Sequence, residues 1–315
     1  MFFVNNQKPP AIFLMGPTAS GKSDLAMKLT KHLPVELVSV DSALVYRDMN
    51  IGTAKPDAET LHHYPHHLID VRAPDETYSV ADFRVDVLSV MSKITDRGKV
   101  PLLVGGTMLY FKVLIEGLAS MPAADKAVRA SIIALAEAQG WQKVHDKLAE
   151  VDPESAARIH PNDPQRLQRA LEIWQLTGQT MTQLHKLQRG QVEFPYDICQ
   201  MAIIPPDRAV LHRIIALRFE HMLAAGFVDE VEYLRSKYEL HAMLPSIKSV
   251  GYRQVWQHLE GDFDRKTMAD QAVIATRQLA KRQLTWLRGW KNLNKIEDAE
   301  VNEALKIVQA SSILS

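Results

Sequence analysis

Three things are scarce in this sequence of 315 residues: cysteine, long apolar runs and an excess of charge of either sign. Cys199 is the single cysteine, which excludes an internal disulfide and suits a reducing compartment. No window of about 18 apolar residues occurs, so no membrane span is expected. Residues 1–10 are too short and too polar a segment for a signal peptide. The expectation is a cytoplasmic enzyme.

The balance of charge limits the partners. Lysine plus arginine and aspartate plus glutamate number 37 each, so the net charge gives no reason to expect a bulk polyanion partner. Any nucleic-acid surface would have to be a local basic patch. The length suffices for one large domain or two ordinary ones, each with a sizeable core.

Short apolar runs predict a parallel sheet. Runs at 11–15, 35–40, 100–104 and 199–204 are separated by helical stretches. This alternation is typical of an α/β fold in which helices cover both faces of the sheet. Ligands bind such sheets at the carboxyl ends of the strands, and each run ends there in a polar, glycine-rich or proline-rich element.

The middle of the chain has a different pattern. No clear strand pattern appears between about 123 and about 194, and prolines punctuate a stretch of predicted helices. We interpret this part as an all-helical insertion domain within the α/β core, whose C-terminal part is itself mostly helical. The predicted insertion is 123–198, the predicted core is 1–122 with 199–315, and the insertion helices are 127–138, 141–150 and 166–176.

A complete G-x-x-x-x-G-K-[ST] pattern follows the first predicted strand and precedes a predicted helix. Its glycines let the backbone wrap a phosphate group, with amide hydrogens pointing inward beside a helix N-terminus. Lys22 would place a cation on the terminal phosphate, and Ser23 would ligate Mg²⁺. A tight structural turn is the alternative. The predicted phosphate-binding residues are Gly16, Pro17, Thr18, Ala19, Ser20, Gly21, Lys22 and Ser23.

The motif leaves the reaction open. An ATP-binding kinase would use this P-loop for attack at phosphorus, whereas the same cradle could stabilise diphosphate as a leaving group during attack at carbon. Gly105-Gly106-Thr107 follows the third predicted strand, so no aspartate stands where a Walker-B magnesium ligand is expected. That absence counts against an ordinary ATPase.

Polar residues elsewhere add candidate roles. Asp41 ends the second predicted strand and could be a general base toward an amine, a water-mediated Mg²⁺ ligand or, with Ser42, part of a helix N-cap.

Arg213 and Arg218 diverge by about 140° on a helix, so at most one of them easily faces a site. The histidines within 62–67 predict a polar surface loop rather than a metal site.

Three basic segments predict RNA contacts. Basic side chains neutralise phosphates, while aromatic and arginine side chains stack on unpaired bases. Solvated helix faces are the alternative. The segments are 165–169 with two arginines, 248–253 with Lys248, Tyr252 and Arg253, and 271–291 with Arg277, Lys281, Arg282, Arg288, Lys291, Trp286 and Trp290.

Taken together, these segments resemble the tRNA dimethylallyltransferase family, also called tRNA isopentenyltransferase, of the bacterial type. The resemblance spans nearly the whole chain. Its carriers are 16–23, Asp41-Ser42-Ala43-Leu44-Val45-Tyr46, Ile51-Gly52-Thr53-Ala54-Lys55-Pro56, Tyr78-Ser79-Val80-Ala81-Asp82-Phe83, Val104-Gly105-Gly106-Thr107-Met108-Leu109-Tyr110, Asn162-Asp163-Pro164-Gln165-Arg166, Ser249-Val250-Gly251-Tyr252-Arg253 and Thr276-Arg277-Gln278-Leu279-Ala280-Lys281-Arg282-Gln283.

The resemblance implies a P-loop NTPase-like fold and transfer of a dimethylallyl group from dimethylallyl diphosphate to N6 of adenosine 37, in tRNAs reading codons that begin with U. It implies Mg²⁺ as cofactor, the anticodon stem-loop as partner and no membrane, and we expect a monomer. The implied catalytic residues are Asp41 as base, Thr107 near the target base and Arg218 on the diphosphate. The implied tRNA contacts are Asp41, Ser42, Ala43, Leu44, Thr107, Arg129, Gln165, Arg166, Leu167, Gln168, Arg169, Lys248, Ser249, Val250, Gly251, Tyr252, Arg253, Lys281 and Arg282.

Other classes remain as hypotheses. A nucleotide kinase would turn over ATP without a prenyl donor. A nonenzymatic RNA-binding protein would leave the P-loop and Asp41 without purpose. An enzyme that prenylates free adenine nucleotides would need neither the insertion nor the C-terminal basic segment.

Overall fold

The computed structural model describes residues 8–119, 121–188 and 193–313. Within these ranges the strands form one sheet, and every neighbouring pair in it is parallel. The order of the strands across the sheet is β3-β2-β4-β1-β5-β6. Their bounds are β1 Pro10–Met15, β2 Val35–Val40, β3 His66–His67, β4 Val100–Gly105, β5 Asp197–Ile203 and β6 Asn294–Ile296.

The predicted parallel sheet is confirmed, and the four apolar runs are β1, β2, β4 and β5. The edge strands β3 and β6 were not predicted, because segments this short carry no apolar periodicity. The prediction of a surface loop at the histidine segment is wrong. The segment forms the end of the short helix α2 and the edge strand β3, in which His66 pairs with Leu37 of β2.

Helices make up most of the remaining described residues. Many begin at an aspartate or serine whose side chain accepts an amide hydrogen bond from the first turn, as Ser79, Asp163 and Asp264 do. Their bounds are α1 Lys22–Leu29, α2 Ala58–His63, α3 Val80–Asp96, α4 Met108–Glu116, α5 Lys126–Val151, α6 Pro153–Arg158, α7 Pro164–Thr177, α8 Met181–Gln188, α9 Arg208–Ala224, α10 Phe227–Lys237, α11 Tyr252–Leu259, α12 Arg265–Arg288 and α13 Val301–Ala310.

The chain divides into two compact units. The α/β unit takes the chain up to Lys112 and again from Pro195 onward, and the helical unit is Val113–Phe194. The predicted insertion, 123–198, differs from the helical unit at both ends. No helix among the described residues is both long enough and apolar enough to cross a membrane.

Alternation along the strands gives the α/β unit its core on both faces of the sheet. Ile12 and Leu14 pack in one buried cluster with α1 and α13. Phe13 points to the opposite face, where its ring lies 5.0 Å from that of Phe111 in α4. The helices therefore cover both faces, as predicted.

The helical unit has its own core. Ile132, Val144 and Leu167 belong to one buried cluster contributed by α5, α6 and α7. Gly140 has a φ of 83° and a ψ of 158°, which interrupts α5. The interruption falls between the predicted helices 127–138 and 141–150, because a non-helical backbone with positive φ favours glycine.

Candidate active site

The P-loop closes tightly around its own backbone. Gly21 has a φ of 81° and caps α1, and a Cβ at Gly16 would lie 2.8 Å from the Oγ of Ser20. The Ser20 Oγ is buried and has no hydrogen-bond partner among the described residues. A buried hydroxyl of this kind costs free energy until it finds a partner. The loop therefore suits an oxygen-rich ligand such as a phosphate group.

Lys22 lies at the start of α1, where its Nζ donates to the Pro17 carbonyl at 3.1 Å. Its pKa is lowered to about 8, chiefly by burial; nearby Asp41 opposes this shift and Arg218 adds to it. No carboxylate in the described part of the chain forms a salt bridge with its ammonium group. A cation held in this way is available to an anionic ligand.

Arg218 projects from α9 onto the P-loop. One guanidinium nitrogen donates to the Thr18 Oγ1 and another to the Thr53 carbonyl, both at 3.4 Å. Burial lowers its pKa. Arg213 on the same helix is exposed and does not line the cavity. Of the two arginines, the structure brings Arg218 to the phosphate loop.

Asp41 and Thr107 stand side by side because β2 and β4 are neighbours whose last residues, Val40 and Gly105, are paired. The Thr107 Oγ1 accepts the Ser42 amide at 3.1 Å. The Asp41 Oδ1 accepts the Ala43 amide at 2.8 Å, and no described residue donates to its Oδ2. No helix follows Asp41, so it is a turn-forming aspartate and not a helix cap.

Gln283 is a site residue that the sequence reasoning missed. From α12 its Oε1 accepts the Thr18 amide at 2.9 Å, while its Nε2 donates to the Gly106 carbonyl at 2.9 Å. Gln283 is buried, and a Cβ at Gly106 would overlap its amide nitrogen. It joins the P-loop to the end of β4. The available signal was its place at the end of the family segment 276–283, where it is an uncharged residue beside Lys281 and Arg282 in a basic helix.

These groups share one cavity of about 1210 Å³ within the α/β unit. Its polar lining includes Lys22, Asp41, Thr107 and Arg218, and Ser23, an exposed residue, lies there as well. A large part of its wall is apolar and comes from α9 and α12. The apolar lining residues of these helices are Val210, Leu211, Ile214, Ile215, Phe219, Met222, Leu279 and Trp286.

The cavity thus combines a phosphate cradle, the cations of Lys22 and Arg218 and the carboxylate of Asp41 with an apolar wall. Such a lining fits a diphosphate that carries a short apolar group. The His62–His67 segment adds no metal site, since none of the described residues cluster as three or more histidine, cysteine, aspartate or glutamate ligands.

The predicted RNA segments of the α/β unit lie partly at this cavity. Residues 248–252 line it, as does Arg282, whereas Lys281 is exposed outside the lining. Lys248 and Arg253 are exposed. Tyr252 is fully buried, so its side chain is not available to a large partner.

In the helical unit the predicted contact residues differ widely in exposure. Arg166 exposes 73% of its side chain and pairs with Asp163 at 3.4 Å. Leu167 is fully buried in the core. Gln165 is exposed, and the Gln168 amide donates to the Arg129 carbonyl at 3.3 Å.

Arg129 and Arg169 both bind the buried carboxylate of Glu172. Their closest nitrogen–oxygen distances are 2.8 Å and 2.7 Å, and Glu172 is completely buried. Arg169 also donates to the Pro122 carbonyl at 2.7 Å. Burial alone would raise the pKa of Glu172, but hydrogen bonds from both arginines and from the Asp125 amide outweigh it, and the pKa is lowered. These arginines have a structural role that the sequence did not indicate.

Comparison with known proteins gives consistent matches. A full-length tRNA isopentenylpyrophosphate transferase from Bacillus halodurans is 35% identical with a TM-score of 0.68, and the match covers 98% of this chain and 96% of that one. A tRNA delta(2)-isopentenylpyrophosphate transferase from Staphylococcus epidermidis is 33% identical with a TM-score of 0.67, over 96% and 98% of the two chains.

A eukaryotic dimethylallyltransferase acting on tRNA shares the fold, with a TM-score of 0.75 at 24% identity over 92% of this chain and 74% of that one. The sequence model of the IPP transferase family matches residues 44–290. The resemblance stated from the motifs is confirmed: this chain belongs to the IPP transferase family of prenyl-transferring enzymes.

Proposed function

We propose that this chain transfers a dimethylallyl group from dimethylallyl diphosphate to N6 of adenosine 37 in tRNAs that read codons beginning with U. The bond between the allylic carbon and the diphosphate oxygen breaks, a carbon–nitrogen bond forms, and diphosphate leaves. The observation that carries the proposal is a single cavity that holds Lys22, Arg218 and Asp41 against an apolar wall.

Diphosphate departure is the step that the P-loop assists. Negative charge grows on the leaving oxygens while the allylic carbon becomes positive, so cations placed around the diphosphate stabilise the transition state. Lys22 and Arg218 supply that charge, and the partnerless Ser20 hydroxyl can donate to a phosphate oxygen. The apolar residues of α9 and α12 receive the dimethylallyl group.

Adenine N6 is a weak nucleophile because its lone pair is delocalised into the ring. Asp41 accepts the N6 proton through its Oδ2, since Oδ1 is held by backbone amides. Thr107 orders the turn that carries Asp41 and lies beside it at the target base.

The proposal includes Mg²⁺, and the residues of the site fit this ion. Ser23 and Asp41 line the same cavity, and Mg²⁺ is usually held by one or two protein oxygens together with substrate phosphates. When bound, the ion neutralises charge on the diphosphate. Ser23 would hold it by its hydroxyl.

The adenine must leave the anticodon stack to reach Asp41 in this cavity, so a flipped base is part of the proposal. Lys248, Arg253, Lys281 and Arg282 offer exposed cations for the tRNA backbone, and Arg166 does so from the helical unit. The proposed enzyme is monomeric and cytoplasmic.

The test incubates the protein, Mg²⁺ and labelled dimethylallyl diphosphate with tRNA, with AMP or with no acceptor. We expect label on tRNA at adenosine 37 and none on AMP. Label on AMP alone would instead support an enzyme of free adenine nucleotides. Turnover of ATP without a prenyl donor would support a kinase or ATPase.

A further inference from the structure

The turn at residues 50–53 contributes Gly52 and Thr53 to the cavity lining, and one of its backbone atoms contacts Arg218. The Thr53 carbonyl accepts a hydrogen bond from the Arg218 guanidinium at 3.4 Å, and the other cavity acceptor of that guanidinium is the Thr18 hydroxyl. Hydrogen bonds of this length are weak, so they hold the guanidinium only if the acceptors themselves are fixed. What fixes the Thr53 carbonyl therefore matters for the position of the cation.

Glu230 on α10 holds this turn by its backbone amides. Its Oε2 accepts the Ile51 amide at 2.6 Å and the Asn50 amide at 3.0 Å, and its Oε1 accepts the Gly52 amide at 3.2 Å. The Tyr252 hydroxyl donates to the same Oε1 at 2.6 Å. Four donors thus converge on one carboxylate, and hydrogen bonds to a charged acceptor are about twice as strong as neutral ones.

Packing fixes the other side of the turn. A Cβ at Gly52 would overlap the ring of Phe227 and would approach that of Tyr252. The two rings meet edge to face with centroids 4.9 Å apart, and both residues are fully buried. The turn is therefore clamped between aromatic rings and the Glu230 carboxylate.

We propose that Glu230 is a positioning residue for Arg218: by fixing the amides of residues 50–52 it sets the Thr53 carbonyl and, through it, the guanidinium that faces the diphosphate. The same carboxylate also anchors Tyr252, and thereby the segment at 248–253. The Glu230 carboxylate would then position both the diphosphate-binding arginine and a segment proposed to contact tRNA. The role of Arg218 toward diphosphate rests on the proposed function.

The test is a double-mutant cycle between Glu230 and Arg218, read by binding of inorganic diphosphate with Mg²⁺ in a calorimeter. Glu230→Gln places an amide NH₂ among four donors, so we expect diphosphate affinity to fall about tenfold when Arg218 is present. In an Arg218→Ala background the same change should have no further effect. Glu232→Gln, an exposed glutamate on the same helix, is the matched control and should bind as the unaltered protein does.

Two results would overturn the proposal. One is a folded Glu230→Gln variant with unchanged diphosphate affinity, and the other is an equal loss in the Arg218→Ala background, which would mean that Glu230 acts independently of Arg218. If Glu230→Gln does not fold, Tyr252→Phe decides. That variant removes one donor and should weaken binding about threefold only when Arg218 is present, and unchanged affinity would count against the proposal.

This experiment is independent of prenyl transfer. A protein that binds diphosphate through the Glu230–Arg218 pair but places no label on tRNA would contradict the proposed function and leave the positioning role intact. In Glu230→Gln the KM of dimethylallyl diphosphate should rise and kcat should fall as well, because the displaced guanidinium is proposed both to bind diphosphate and to stabilise the charge that grows on it as it leaves.

Discussion

The cavity of the α/β unit and the core of the helical unit place their cations in opposite surroundings. In the cavity, Lys22 and Arg218 form no salt bridge with any carboxylate in the described ranges, and burial lowers the pKa of both. In the helical unit, Arg129 and Arg169 are both bound to Glu172. Cations without a paired carboxylate are held ready for an anionic ligand, whereas the paired arginines serve the fold. Charge in a sequence therefore indicates a function only once its partner is known.

The largest effect is expected at the carboxylate of the cavity. Asp41→Asn should lower kcat for prenyl transfer by about 10²–10⁴-fold, because the amide cannot accept the N6 proton. Binding of tRNA, measured separately by filter binding, should change little. An equal loss in turnover and in tRNA affinity would contradict the base role. The amide still accepts the Ala43 backbone hydrogen bond, so the turn is preserved.

The second prediction concerns the paired arginines. Glu172→Gln should lower the free energy of unfolding in urea by about 2 kcal/mol, because Arg129 and Arg169, which are partly exposed, lose the negatively charged carboxylate that both of them bind. Glu137→Gln, an exposed position on α5, is the control and should be neutral.

The effect of Glu172 depends on pH with a definite sign. Its folded pKa is lowered from an ordinary value of 4.5, so its contribution is fully present above that pH. It is lost as the pH falls through the folded pKa. The difference between the unaltered protein and Glu172→Gln should therefore shrink below pH 4.5, and a difference that grows in acid would refute the ion-pair account.

The third prediction concerns the protonation of Lys22. Its pKa of about 8 means that the cationic form is lost as the pH rises through that value. The kcat/KM for dimethylallyl diphosphate reports the free enzyme, so it should fall about tenfold between pH 7 and pH 9. Lys22→Arg should remove this alkaline limb, since arginine stays charged. A limb that persists in Lys22→Arg belongs to another group.

The smallest expected effect separates two arginines of α7. Arg166→Ala should weaken tRNA binding about threefold and reduce the log–log salt slope by about 0.7–0.9, with no change in stability, because its side chain is largely exposed. Arg169→Ala should instead lower stability, since it loses Glu172 and the Pro122 carbonyl. Equal stability of the two variants would contradict the structural role of Arg169.

Much of this architecture could be predicted because it rests on local pattern. Apolar runs specified four of the strands, and the P-loop spacing placed Lys22 and Ser23 at the start of a helix. The carboxyl-end rule for parallel sheets brought Asp41 and Thr107 to one edge. The family resemblance selected Arg218 over Arg213.

What could not be predicted depends on contacts distant in sequence. Gln283 and Glu230 are ordinary polar residues on helices, and only tertiary packing directs them to the backbone of the P-loop and of the 50–53 turn. Tyr252 belongs to a predicted RNA segment, yet the fold buries it. Periodicity reports which face of a helix is apolar, but it does not report which polar group will find a partner.

The bridge made by Gln283 has a consequence for biosynthesis. It contacts Thr18 across 265 residues of sequence. At about 5–20 residues per second, a ribosome needs roughly 10–50 s to add that stretch. The P-loop thus leaves the ribosome long before Gln283 has been synthesised, and the nascent chain carries the whole motif without the hydrogen bond from Thr18 to Gln283. The hydrogen bonds that Gln283 makes to Thr18 and Gly106 therefore form only after α12 has been synthesised and docks.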